Sequence, residues 1–255
     1  MAILTGEIEL SGFSVIDAHL DRANIERLIQ DITALDFPPT QAGIRNLLEL
    51  LPSIRTLAQS PEIRSVVEPI LGDSPGERLR QRVHVVRGIF FDKQPHANWK
   101  VPWHQDLTIA VKNRLEVPDF HPWSVKAEIH HVQPPVAILE QMLTVRIHLV
   151  RVASALPNRT DESNGALKVI PGSHTQGRLT APDIDLWKQS PAISCNCQAG
   201  GILLMRPLLL HASSIATTPS HRRVIHLEYA SCPLPSGLEW YYSDLQEENG
   251  VKRQW

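Results

Sequence analysis

The strongest constraint on this chain lies in its last two thirds, where short runs rich in Val, Ile, Leu and Phe alternate with prolines and glycines. Arg82 to Phe91 opens the series, and 101–108, 142–149, 166–170, 193–197, 202–205, 208–213 and 222–230 continue it. Runs this short, bounded by turn formers, suit strands rather than helices. So many of them in one chain predict a sandwich or a jelly roll.

The first third has a different period. Gly12 to Val15 reads as a short strand, and Ile25, Leu28, Ile29 and Ile32 then recur at helical spacing behind a capping acid, Asp17 or Asp21. Two further helices are expected over Leu47 to Gln59 and Glu62 to Leu71, the second opened by Ser60-Pro61 and closed by Gly72. The expected architecture is mainly β with flanking helices: a helical portion over 17–72, a β core over 79–230, and one domain across 1–255. A chain of 255 residues, 42% of them hydrophobic, supplies one sizeable core.

Lys and Arg total 25 against 27 Asp and Glu, a formal net charge of −2, so no bulk field draws nucleic acid or an anionic membrane. The first twelve residues carry no basic leader region, and no apolar run reaches the roughly 18 residues a span requires. A cytoplasmic location is expected. The three cysteines are an odd number, and Cys195-Asn196-Cys197 lacks the second pair of a structural zinc site, so reduced thiols are expected. Asn158-Arg159-Thr160 matches a glycosylation sequon by chance. Two long connections, 109–141 and 151–164, are candidate lids or binding loops. Nothing in the sequence sets an oligomeric state.

In Trp103-His104-Gln105-Asp106 an extended backbone would send the imidazole and the carboxylate to the same side, where both reach one ion. With twelve histidines the spacing recurs by chance. His19-Leu20-Asp21 repeats it where a helix begins, and there Asp21 is better read as an N-cap. His226-Leu227-Glu228 has no histidine after it to complete a site. His104 and Asp106 gain weight from His211, which follows Leu208-Leu209-Leu210, and from Arg222, which opens the next predicted strand. Two histidines and a carboxylate form a facial triad, which leaves positions on the metal for a chelating cosubstrate and O2, and a nearby guanidinium can hold the far end of a diacid. His148 and Arg159 share the spacing of His211 and Arg222, but Arg159 falls in a polar connection. A buried His-Asp hydrogen bond and a core histidine would explain the same residues without a metal.

Asn98-Trp99-Lys100-Val101-Pro102-Trp103-His104-Gln105-Asp106, then Asn164-Gly165-Ala166-Leu167-Lys168-Val169-Ile170-Pro171-Gly172-Ser173-His174, then His211-Ala212-Ser213 before Arg222, together resemble the phytanoyl-CoA dioxygenase family. The resemblance runs from Gly12 to about Tyr229. It implies a double-stranded β-helix, a cupin-like jelly roll, with helices on one side. It also implies an Fe(II)- and 2-oxoglutarate-dependent dioxygenase that consumes O2, releases succinate and CO2, and hydroxylates a small molecule. His104, Asp106 and His211 would bind Fe(II), Arg222 the far carboxylate of 2-oxoglutarate, and Ser213 would add a hydroxyl. Related halogenases lack the carboxylate, so Asp106 favours hydroxylation. Arg223 adjoins Arg222, and strand alternation sends the two to opposite faces; spacing points to Arg222, while a slip of one residue would exchange their roles.

Arg146, in the apolar run Thr144 to His148, points either outward or towards an anion, the substrate's or the cosubstrate's, and Arg87 shares that ambiguity. Trp99, Trp103 and Trp123 are candidate substrate walls or plain core. Gln133 and Gln141 are candidate hydrogen-bond partners of the cosubstrate, and Trp240-Tyr241-Tyr242 a candidate cover for the site. Two other readings compete: a jelly-roll binding module without turnover, and a metal-dependent hydrolase or isomerase on the same scaffold. Retention of three ligands argues against the first, and Arg222 is superfluous to the second. The substrate is expected to be amino-acid-like or a secondary metabolite, since no run of basic residues suits coenzyme A.

Overall fold

The computed structural model describes residues 2–38, 40, 43–72, 83–149, 159–219 and 221–243. Its centre is an antiparallel six-stranded sheet in the order Phe13–Ile16, Ile202–Met205, Met142–His148, Arg222–Ala230, His84–Lys93, Gly43–Ile44. A four-stranded antiparallel sheet runs Ile193–Ser194, Leu167–Val169, His211–Ser213, Val101–His104. This is the double-stranded β-helix expected from the motifs.

Alternation gives the large sheet two chemically different faces. Leu143, Val145, Ile147, Ile225, Leu227 and Tyr229 point outward and share one buried cluster with Ile25, Leu28, Ile32, Ile54, Ile63 and Val67 of the helices. Each such side chain contributes roughly 1.5–3 kcal/mol on burial, so the helices are held by their apolar stripes rather than by propensity. The register Arg222↔Lys93, His226↔Arg146 and Glu228↔Arg87 puts the intervening residues on the inner face. The sheet therefore turns its apolar side to the helices and its charges to the interior.

Local sequence accounts for two of the helix starts read from it. Asp21 accepts from Asn24 N at 2.8 Å and caps Arg22–Thr33, and Ser60 caps Pro61–Leu71. His19 instead bonds the Glu62 carbonyl. The single helix expected over 47–59 is two, Leu47–Leu50 and Pro52–Gln59, because proline at 52 forces Leu51 into an extended conformation. A helix over Ala2–Ser11, which the sequence did not suggest, buries only Ile8 among its described side chains.

Several strand expectations need correction. The connection 109–141 is no open lid: it holds a three-stranded sheet, Ile109–Val111, Ile129–Val132 and Trp123–Lys126, and the short helix Val136–Leu139. The strand expected over 101–108 stops at His104, and that over 208–213 begins only at His211. The run expected at 193–197 is two pieces, Ile193–Ser194 and Cys197–Gln198. Arg82, the turn after Gly72, the sequon at Asn158 and most of 151–164 lie outside the described residues. Cys195, Cys197 and Cys232 are buried free thiols.

Candidate metal centre

His104 ends its strand and His211 opens the neighbouring one, where the two are direct partners in the ladder. Asp106 lies two residues past the strand end, held by its N–H to the Pro207 carbonyl at 2.9 Å. One ligand atom from each of the three falls within 4.8 Å of the others. His104 Nε2 is 3.7 Å from Asp106 Oδ1, and His211 Nε2 is 3.7 Å from Asp106 Oδ2.

Backbone carbonyls fix the tautomers. His104 Nδ1 lies 2.9 Å from Pro102 O and His211 Nδ1 lies 2.8 Å from Leu209 O. A carbonyl only accepts, so both Nδ1 atoms carry a proton and Nε2 is the atom that each ring offers to a metal beside the Asp106 carboxylate. Burial pushes His211 down to about 4, against the pull of Asp106. Burial opposes ionisation of Asp106, yet His211, His226, His104 and Arg87 together hold its carboxyl well below the usual range. A neutral His211 and an ionised Asp106 are the states in which these groups can bind a divalent metal.

Deeper along the inner face lies a cationic pocket. Arg222 is 3% exposed, and among the described residues neither its Nε nor its Nη1 has a hydrogen-bond partner. Arg146 donates from Nη1 to His226 Nδ1 at 2.9 Å, while its buried Nε meets no partner among the described residues. His148 Nδ1 meets Thr160 Oγ1 at 2.8 Å, and its Nε2 likewise meets none among them. Burial, and then Arg146, bring Arg222 down to about 9. A buried charge left unpaired costs several kcal/mol, so this arrangement calls for an anion.

Register settles the neighbouring arginines. Arg222 faces inward, whereas Arg223 faces the opposite side and meets Asp92 Oδ2 at 3.4 Å. Asp92 is also bonded by His221 at 2.7 Å.

Lys93, directly across the ladder from Arg222, is the residue that sequence reasoning missed. It is fully buried, donates to Ser213 Oγ at 2.8 Å and to the Ser214 carbonyl at 2.5 Å, and lies 5.4 Å from the Trp99 ring centroid. Burial, Arg222 and Arg146 lower it to about 7. Its signal was the inward register with Arg222, which spacing along the chain does not display. Ser213 sits at the same end, but its hydroxyl already donates to the Gly165 carbonyl at 2.9 Å. Gly165 adopts φ +78°, and a Cβ there would fall 3.0 Å from Lys93 Nζ, so this turn requires glycine.

A model of the phytanoyl-CoA dioxygenase family matches residues 8–224. The chain belongs to that family. No curated protein sequence matches it. Among solved structures, EctD from S. alaskensis with 2-oxoglutarate and 5-hydroxyectoine is 16% identical, with a TM-score of 0.65 over 90% of this chain and 76% of that one. The non-heme alpha ketoglutarate dependent carbocyclase SnoK from nogalamycin biosynthesis is 15% identical, with a TM-score of 0.65 over 90% of this chain and 83% of that one. AviO1 from Streptomyces viridochromogenes Tue57 is 19% identical, with a TM-score of 0.62 over 92% and 96%. At these identities the likenesses establish the shared fold.

The family motifs have distinct structural duties. Gln105, between the two ligands, donates to the Gly177 and Leu208 carbonyls at 2.8 and 2.7 Å and accepts from Leu179 N at 2.8 Å. Ser173 of the Pro-Gly-Ser-His segment accepts from Leu210 N at 2.8 Å and donates to Ile170 O at 2.7 Å, anchoring the residue before His211. Both side chains fix the backbone on which the phytanoyl-CoA dioxygenase-type ligands are mounted.

Not every expected site residue joins this centre. Gln141 precedes the far end of the strand whose other end, His148, lies near Arg222, roughly 20 Å away at strand rise, and its amide donates to Ala137 O at 2.9 Å. That separation removes it from the anion pocket. Alternation turns Trp103 to the face opposite His104. Trp123 meets Arg114, at 5.6 Å from its ring centroid. Arg87 does face inward, paired with buried Glu228, which also accepts from His226 Nε2 at 3.0 Å. No described helix is long and apolar enough to cross a membrane.

Proposed function

We propose that this chain is an Fe(II)- and 2-oxoglutarate-dependent dioxygenase that hydroxylates a small molecule with release of succinate and CO2. The reading is carried by the juxtaposition of a three-donor site, His104, Asp106 and His211, with buried Arg222, joined to it through Lys93 and Ser213 and lacking partners for Nε and Nη1 among the described residues. Three protein donors leave positions open on iron, and a bidentate guanidinium suits the carboxylate of a chelating diacid. The iron, when bound, would activate O2 with 2-oxoglutarate as the electron source. Family membership supports the same cosubstrate, as do the 2-oxoglutarate bound to EctD and the alpha ketoglutarate dependence of SnoK.

The protein's own part is placement. Arg222, with Arg146 and Lys93 beside it, would hold the dianion and thereby relieve their mutual repulsion. The Pro102 and Leu209 carbonyls would keep both Nε2 lone pairs directed at the metal. Asp106 would occupy a coordination position as a carboxylate, which favours hydroxylation over halide transfer.

Anaerobic addition of Fe(II) and 2-oxoglutarate tests the reading. A weak visible charge-transfer band is expected from the wild type and not from Arg222→Ala, and succinate should accumulate once O2 is admitted with a substrate. Absence of the band in iron-loaded wild type would overturn it.

A further inference from the structure

A second concavity opens between the Arg45–Asn46 segment, the strand at 86–89, and the three-stranded sheet, with Tyr241 and Tyr242 alongside. Leu48, Val86, Ile89, Ala110 and Ile129 supply an apolar lining, while Arg45 and Arg87 supply charge. Lys126 is the ladder partner of Ile129, one of these lining residues.

Glu228 pairs with Arg87 and also attracts Arg45 and Lys126, while Glu49, in the lining, accepts from Tyr241 Oη at 2.9 Å; three cations against these two carboxylates leave an excess of positive charge. Arg45 forms no ion pair among the described residues, and Lys126 reaches only Thr108 Oγ1, at 3.5 Å. Burial and then Arg87 depress the pKa of both Arg45 and Lys126, which places the three cations within one another's field. Lys126 Nζ reaches Thr108, two residues beyond Asp106, and Arg87 pairs with Glu228, which accepts from the inward-facing His226, so the concavity adjoins the segment that carries Asp106. His131 lines it too: its Nδ1 lies 3.0 Å from Ile129 O and burial brings it to about 4, so it is neutral with Nε2 as an acceptor. The wall thus offers cations for an anion and one acceptor for a hydroxyl or N–H.

We propose that this concavity is the substrate pocket and that the substrate is anionic, its carboxylate or phosphate monoester held by Arg45, Arg87 and Lys126 and its apolar part lying on Leu48, Ile89 and Ile129. The proposal rests on the oxygenase reading of the His104–Asp106–His211 centre and names the substrate class for it. Arg45 and Lys126 lie 81 positions apart in the sequence, which is why no basic run announces the site.

Calorimetric titration with four probes sharing one tail, hexanoate, hexyl phosphate, hexanol and hexylamine, tests this on protein holding Fe(II) and saturating 2-oxoglutarate under argon. Saturation keeps the probes out of the Arg222 pocket. The two anions should bind at least tenfold more tightly than hexanol or hexylamine, and the tighter of them identifies the head group. Arg45→Gln and Lys126→Gln should each weaken the preferred anion about tenfold, as loss of one charged contact does. Arg223→Gln should change nothing. Equal binding of hexanol and the anions, no anion binding, or indifference to Arg45→Gln and Lys126→Gln would overturn the proposal. The charge-transfer band, recorded on the same samples, reports separately: its absence with retained anion selectivity sinks the cosubstrate reading, and its presence without selectivity sinks this pocket alone.

Discussion

His104 and His211 sit opposite one another in an antiparallel ladder with their ring centroids 4.2 Å apart and their planes at 51°. Each ring donates Nδ1–H to the carbonyl two residues before it. The pair is therefore pre-oriented before any metal arrives.

Loss of either ring should remove the metal. His211→Ala is expected to weaken Fe(II) binding by more than the roughly 10- to 100-fold that follows loss of a supporting hydrogen bond to a ligand. Anaerobic iron stoichiometry measures this, and stoichiometric iron in the variant would show that the third ligand is elsewhere.

Arg222 and Arg223 should separate cleanly. Arg222→Ala is expected to cost about 2–5 kcal/mol of 2-oxoglutarate affinity, the usual loss for one partner of a buried charged pair. Arg222→Lys should recover only part of it, because an ammonium cannot match a carboxylate bidentately. Arg223→Ala should leave the affinity unchanged, since its guanidinium is on Asp92 across the sheet. Titration of the charge-transfer band distinguishes the three.

Lys93 should take up a proton when the dianion binds. In the free protein it titrates near 7, while an unfolded lysine titrates near 10.4, so between those values the unfolded chain holds a proton that the folded one lacks. Stability of the free protein therefore rises with pH across that window, and the contribution is lost as pH falls through about 7. At pH 8.5, calorimetry in buffers of different ionisation enthalpy should register proton uptake on 2-oxoglutarate binding, absent in Lys93→Met.

Gln105 should prove structural. Gln105→Leu strands two carbonyls and one N–H that its amide now satisfies. Each buried unsatisfied group costs about 1–3 kcal/mol. A fall in Tm of several degrees is expected by calorimetry, with iron binding weakened as the segment before Asp106 loosens. An unchanged Tm would count against the clamp.

By itself the sequence determined the alternation of short strands, the helices capped at Asp21 and Ser60, and the His-x-Asp spacing with His211 and Arg222 downstream. These are local properties, written in period and in the residues that start and stop an element. Short pieces such as Trp123–Lys126 and Ile129–Val132 escaped because Pro-rich surroundings masked them and their pairing is with each other and Ile109–Val111. Tertiary structure alone decided that Arg222 rather than Arg223 faces inward, that Lys93 stands opposite it, and that Arg45 and Arg87 line one concavity. The reason is register: which face a strand residue occupies is set by how the strands pair, and pairing joins residues that the sequence keeps far apart.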